Sequence, residues 1–281
     1  MSGGIRGMQS WGSVIFHAGL LIIVAVVSLS PFTRFLATAV LPQGVMVSLA
    51  DEKFVSIDSA PTFGEIPFMF LMLDWQETSY KDGKFPVDYA AGLEIRLMES
   101  NAYMSSDEVI RVNSPIRKNG YSFLLVSGSH APLFVVAGKD GKIIFNRFAR
   151  VSNNTSVEDT LAIPDTGIIL RTRFFPDMFS EGGKYGTRSM ELKNPAFGIK
   201  VSTKDDPLHD IWRGVLQKGA KAEFNGLTLE FAEMRPVVTV QVAKDPTYWG
   251  IFAGWLVIIT GLLLRYAPIL EWKRNGDKVK A

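Results

Sequence analysis

Apolar residues are spread unevenly along the chain. Two long unbroken runs stand near its ends, and short alternating runs fill the stretch between them. The first long run, Gly12 to Ser30 (GSVIFHAGLLIIVAVVSLS), holds no Asp, Glu, Lys or Arg and is closed by Pro31. The second, Trp249 to Leu264 (WGIFAGWLVIITGLLL), is bounded by Tyr248 and by Arg265-Tyr266. A hydrocarbon core about 30 Å thick takes about 20 helical residues, and Trp or Tyr at the ends anchors a span in the interface. Trp11, Tyr248 and Tyr266 occupy such positions. The two runs predict transmembrane helices over 12–30 and 247–266. Ser28-Leu29-Ser30 loosely fits a signal-peptide cleavage site, but a single leading charge, Arg6, and a long apolar run weigh against cleavage.

Residues 31–246 read mostly as β-structure. In Pro236–Val242, Val238, Val240 and Val242 share one face, with Thr239 and Gln241 on the other. Leu93, Ile95 and Leu97 alternate with Glu94 and Arg96. Asp140-Gly141 and Asn225-Gly226 each separate two apolar runs, a strong two-residue hairpin signal, and Asp82-Gly83 marks another turn. Two segments carry a helical pattern: Ser156–Leu161, and Pro207–Gln217 with Leu208, Ile211, Trp212 and Val215 at helical spacing. The predicted fold class is a membrane protein, with two transmembrane α-helices flanking a large, mainly β extracytoplasmic domain of sandwich or barrel-like form. A predicted strand ending near Val242 runs almost directly into the second helix, which makes a stiff junction.

Charge sets the orientation. Residues 267–281 form a basic tail expected to fray from Asn275, and 1–11 carry Arg6. Basic flanks stay cytoplasmic, so both termini are placed in the cytoplasm and 31–246 outside it. Net charge is +2 over 1–44, −3 over 45–246 and +3 over 247–281, which the whole-chain value of +2 conceals. That value provides no basic footprint for nucleic acid. The absence of Cys among 281 residues excludes disulfides, cysteine-based metal sites and thiol redox chemistry.

Few residues carry candidate chemistry. Asp165-Thr166-Gly167 matches the tripeptide of aspartic proteases, but that chemistry needs two carboxylates sharing a proton, and no second such motif occurs. A β-turn is the simpler reading. His130 and His209 are isolated in the β-rich domain. His17 lies six residues beyond Trp11, about 9 Å into the span at 1.5 Å per residue. An ionisable side chain at that depth points to function. A neutral imidazole suits haem iron in an apolar site; it also suits a hydrogen bond to a neighbouring helix. One His cannot complete six-coordinate iron, so a second axial ligand would come from another chain.

Four segments together resemble the ResB-like proteins of system II cytochrome c biogenesis. They are Trp11–Leu21 with its histidine, Ile110–Ile116 followed by Gly120-Tyr121, the pair Phe175-Pro-Asp177 and Lys193-Asn-Pro195, and Lys244-Asp-Pro246 leading into a span with Gly250, Gly254 and Gly261. The resemblance covers nearly the whole chain. It implies a cell inner-membrane subunit of a haem-delivery complex, working with a multi-span ResC/CcsA-type partner to carry haem across the membrane and present it to apocytochrome c. It implies haem b shared with that partner and His17 as a transmembrane axial ligand of the haem iron. Asn113, Pro115, Asn194, Pro195, Asp245 and Pro246 match motifs with a structural role. Besides membrane lipid, the expected contacts are thus proteins and haem, and the chain is not expected to be an enzyme by itself. The family's usual member has four spans, three of them before the exterior domain, whereas this sequence begins near the third. The alternative is a non-haem accessory that anchors an exterior domain beside another membrane complex, with His17 only a packing hydrogen bond.

Overall fold

The computed structural model describes the backbone of residues 2–62, 66–99, 102–152 and 154–279. Helix α1 spans Ser2–Thr33 and helix α2 spans Tyr248–Val279. Within them, Ser10–Thr33 and Tyr248–Tyr266 are long and apolar enough to cross a membrane. Only 11% and 17% of their most apolar windows are buried, unlike the core helices of a soluble domain. The side chains of Arg6 and of the basic tail over 267–281 lie outside the described residues, but the α2 backbone stays helical through Asn275 to Val279. Pro31 was expected to close α1; the helix instead runs one further turn to Thr33. A proline in the last turn removes a single donor. The Thr33 hydroxyl donates back to the carbonyls of Leu29 and Ser30, and Arg34 N to Ser30 O.

Two long strands organise everything between the helices. Strand β8 (Tyr121–Ala137) and strand β17 (Leu227–Lys244) pair antiparallel along nearly their whole length, with bulges near Leu125 and Phe231. On the half of this ribbon nearer the helices, β17 also pairs with β1 (Phe35–Pro42), and β1 with β3 (Val55–Ser59). The short β7 (Ile116–Lys118) closes the other edge. A second sheet, ordered β2 (Met46–Ser48), β4 (Met69–Lys81), β5 (Phe85–Glu99) and β6 (Ala102–Arg111), lies across it. Alternate residues meet between the sheets: Ala37, Ala39, Leu41, Val238 and Val240 of the first with Leu71, Leu93 and Ile95 of the second.

On the far half, the ribbon gains β9 (Ile143–Phe148) and β16 (Lys221–Phe224). It faces a third sheet, ordered β10 (Asp159–Ile163), β11 (Ile168–Phe175), β14 (Ala196–Thr203) and β15 (Trp212–Gln217). Phe197 is the centre of this second core, edge-on to Phe134 and Phe231 and stacked on Phe174 at 5.1 Å. The expected sandwich is therefore two sandwiches sharing one ribbon. A small hairpin, β12 (Met178–Glu181) with β13 (Lys184–Thr187), projects from the far one.

All three expected turns are present. Asp82-Gly83, Asp140-Gly141 and Asn225-Gly226 join β4 to β5, β8 to β9 and β16 to β17. Asn225 (φ 47°) and Gly226 (φ 75°) both occupy the left-handed region that a two-residue hairpin requires. The two helical expectations fail. Trp212–Gln217 is strand β15, paired with Ala196–Val201, and the Ser156–Leu161 segment turns and enters β10. The supposed helical stripe over 208–215 has no buried face to serve, because Leu208 is 84% exposed. Among the described residues the domain contains no helix.

Candidate functional site

The two apolar helices pack antiparallel through glycines. A Cβ on Gly12 would lie 2.6 Å from Arg265 N, and one on Gly19 would lie 2.9 Å from Gly254 O. At Gly261 it would lie 2.4 Å from Phe16 N. Backbone thus meets backbone along a seam. Gly12 and Gly19, like Gly254 and Gly261, are seven residues apart, the repeat that keeps small residues facing a partner helix. The spacing was available in the sequence as a signal for this seam. At the far end Val26 packs on Gly250.

His17 lies off that seam, on the exposed side of α1, with Val14, Leu21 and Val24 also exposed. Its Nδ1 is 2.7 Å from the carbonyl oxygen of Ser13, one turn back. A carbonyl can only accept, so Nδ1 is the donor, and in the neutral ring Nε2 keeps its lone pair. Phe16 packs edge-on against the ring at 5.3 Å. This is the state in which imidazole ligates a metal, one nitrogen tied to a backbone carbonyl and the other free. The hydrogen bond to a neighbouring helix, the competing expectation for His17, is not formed with α2: the ring bonds its own helix. Nε2 of His17 could thus supply one nitrogen to a metal or a haem. Among the described residues, no group of three or more His, Asp or Glu could hold a metal ion. Beside the histidine, Arg265 Nη1 donates to Ser13 Oγ at 3.2 Å, a contact between the helices that the sequence did not announce.

The remaining motif residues are structural. Asp245 joins the helices where they meet the domain. Its carboxylate accepts from Ser30 Oγ at 2.9 Å and from Thr247 N at 3.0 Å, with the Thr247 hydroxyl alongside. Burial pushes Asp245 up, but the bonds from Thr247 and Ser30 outweigh it and hold the carboxyl below its usual range. Phe175-Pro-Asp177 and Lys193-Asn-Pro195 prove to be two halves of one clasp. Asn194 donates from Nδ2 to Met178 O at 2.9 Å, accepts from Gln217 Nε2 at 3.1 Å and forms a bridge with Asp177. Asn113 (φ 61°) turns the chain ahead of Pro115.

Asp165 (φ 60°) and Gly167 (φ 67°) form the turn between β10 and β11, with Thr166 Oγ1 donating to Ile163 O. The tripeptide is a hairpin turn. His209 is exposed and bonded to Asp206, which raises it above the ordinary histidine value. His130 lies on β8 between the two cores, and burial lowers it. A cleft of about 620 Å³ lies on the ribbon face opposite Val238, with Ser129, Phe148 and Val151 in its walls and Lys53 and Arg150 among its lining.

Two curated relatives, both named cytochrome c biogenesis protein CcsB, come from Synechococcus elongatus and Synechococcus sp.. Each is 22% identical over 276 residues, covering 95% of this chain and 53% of the relative. The chain therefore spans about half the length of the curated relatives it matches. The ResB-like family model matches residues 6–267, from within α1 to the apolar end of α2, and on that match the chain belongs to the ResB-like family.

Proposed function

We propose that this chain is a membrane subunit of the machinery that attaches haem to cytochromes c. In this reading α1 and α2 span the cell's inner membrane as a hairpin, both termini are cytoplasmic, and the β domain stands on the extracytoplasmic side. His17 supplies one axial ligand to a haem b in transit, which is cargo, and a ResC/CcsA-type partner supplies the other. The double sandwich serves as a platform beside which apocytochrome c receives the haem. The observation that carries this reading is the His17 ring: a free Nε2 on an exposed apolar helix face, held by a backbone bond of its own helix. The family membership and the name borne by the relatives support the pathway. Flanking charge supports the orientation.

The chain's own residues hold and orient in this scheme. The Ser13 carbonyl fixes the imidazole tautomer, and the glycine seam fixes α1 against α2. Asp245 locks both helices to the first sandwich, so the site and the platform keep a constant separation. The test is haem staining of cytochromes c in cells that make the wild-type chain, the His17→Ala chain or no chain. The proposal expects loss of attached haem without the chain and strong loss with His17→Ala. Full cytochrome maturation without the chain would remove it from the pathway. Full maturation with His17→Ala alone would leave a non-haem accessory.

A further inference from the structure

The first sandwich turns one end toward the helices, and that end carries a groove with both apolar and polar walls. Ile66, Pro67, Phe68 and Met98 line it together with Tyr121 and Lys244, enclosing about 410 Å³. Ile66 is 46% exposed, Phe68 50% and Met98 44%. Main-chain bonds fix the groove at this end. Thr62 N donates to Phe32 O in the last turn of α1 at 2.8 Å, and Met98 N donates to Phe68 O at 3.3 Å. Phe35, two residues beyond α1, pairs with Lys244, the last residue of β17.

Chain length then decides what can cover it. Only Asp245, Pro246 and Thr247 separate Lys244 from the start of α2. The four steps from Lys244 to Tyr248 reach at most about 14 Å even fully extended. The polar layer on each side of the hydrocarbon core is about 5–7 Å thick. A turn in which Tyr248 N donates to Asp245 O shortens that reach, so once α2 is in the membrane the Lys244 edge of the groove lies close to the headgroups. Its charge fits as well. The Lys244 ammonium lies over the Tyr121 ring at 4.6 Å, within the lining of the groove. Among the described residues, the adjacent Asp245 is engaged by Ser30 and Thr247.

We propose that this end of the domain is itself a membrane-contact surface, with Ile66, Phe68 and Met98 sunk among the lipid headgroups of the outer leaflet and Lys244 on a lipid phosphate. The pattern is the one by which peripheral elements bind a bilayer, apolar side chains entering the interface with basic groups above them. The inference rests on the reading of α1 and α2 as spans. It makes the domain a seated body with a fixed tilt, not one held by two tethers.

The chain has no cysteine, so a single introduced one carries a unique label. Phe68→Cys and Met98→Cys are each labelled with an environment-sensitive fluorophore. The full chain is reconstituted in phosphatidylethanolamine–phosphatidylglycerol vesicles containing a phospholipid spin-labelled near the top of its acyl chain. Leu256→Cys, exposed on α2, serves as the span reference, and Leu208→Cys, exposed on the far sandwich, as the solvent reference. Labels at 68 and 98 should be quenched several-fold more than the label at 208 and be shielded from aqueous iodide. Quenching no greater than at 208, with strong quenching at 256, overturns the inference and leaves the spanning reading intact. Shielding from both lipid and iodide overturns it too, because protein then covers the groove. Absence of quenching at 256 removes the spanning reading on which it rests.

Discussion

Substituting Gly261 by Ala tests the helix seam through the sign of the effect. In an exposed helix interior this change is favourable, since Ala is about 1 kcal/mol better than Gly. Here the new Cβ would sit 2.4 Å from Phe16 N, 2.8 Å from Phe16 Cα and 2.9 Å from Gly12 O. All three are backbone atoms, so no side-chain rotation relieves them. Ordinary contact begins near 3.4 Å, and α1 and α2 must therefore part by about 1 Å. A gap of that size forfeits a quarter to a half of the dispersion energy along the neighbouring contacts. Overpacking of this kind costs about 1–3 kcal/mol, which leaves a net loss of up to about 2 kcal/mol after the helix preference is subtracted. Gly250→Ala is the internal comparison. Its Cβ meets only the methyl carbons of Val26, at 2.7 and 3.0 Å, which can rotate away. Thermal unfolding of both variants in one lipid nanodisc preparation, followed by circular dichroism, should rank Gly261→Ala below Gly250→Ala. A Gly261→Ala protein as stable as the wild type, or more so, would refute the backbone-to-backbone seam.

The remaining predictions concern the domain and its junction. Asp245→Ala removes the bonds from Ser30 and Thr247 and should cost about 1–3 kcal/mol, measured as the shift in denaturant midpoint. Because the folded Asp245 is held below its unfolded value of about 3.9, its contribution is complete above that pH and fades as pH falls through the folded value, so Asp245→Ala should flatten acid unfolding in this window. His130 should titrate below and His209 above the ordinary value near 6.5 in NMR, and the reverse order would contradict both environments. The lowered His130 makes the far side of β8 less stable as pH falls, whereas the His209–Asp206 pair is complete below the ordinary histidine value while Asp206 stays ionised, and is lost as pH rises through the raised value. Asn194→Ala breaks the clasp between the two Pro-containing motifs and should cost about 1–3 kcal/mol by the same denaturant assay, with the first sandwich unaffected.

What the sequence discloses here is what local chemistry decides. Asn225-Gly226 and Asp140-Gly141 declare their hairpins because few residues adopt the left-handed backbone. The apolar runs show the two helices because their composition alone sets them apart. Strand β15 was hidden because Ile211, Trp212 and Val215 mimic a helical stripe, while the partner that makes the segment a strand, Ala196–Val201, lies elsewhere in the chain. The shared ribbon was hidden for a related reason. Pro132 and Pro236 read as strand ends, yet both sit inside β8 and β17, opposite Met234 and His130. Position within a span singled out His17. The bond from Nδ1 to Ser13 O, which decides the tautomer, depends on a rotamer that no sequence pattern specifies. The Asp177–Asn194 clasp was visible only as two separate motifs, since its meaning is a contact between distant segments.

Rigid connection is the common thread. β1 follows α1 almost at once and β17 precedes α2 by three residues, with Asp245 bonded to both helix ends. A haem held at His17 would therefore keep a fixed relation to the sandwich above it, as a delivery platform requires.

The central claim is that His17 ligates haem, and the most direct measurement is the visible absorption spectrum of the tagged protein purified with its membrane partner. Wild-type protein should carry a low-spin haem b spectrum. His17→Ala should lose haem or shift the Soret band, and added imidazole should restore the wild-type spectrum by replacing the missing ring. Haem occupancy and spectrum unchanged in His17→Ala would contradict the account.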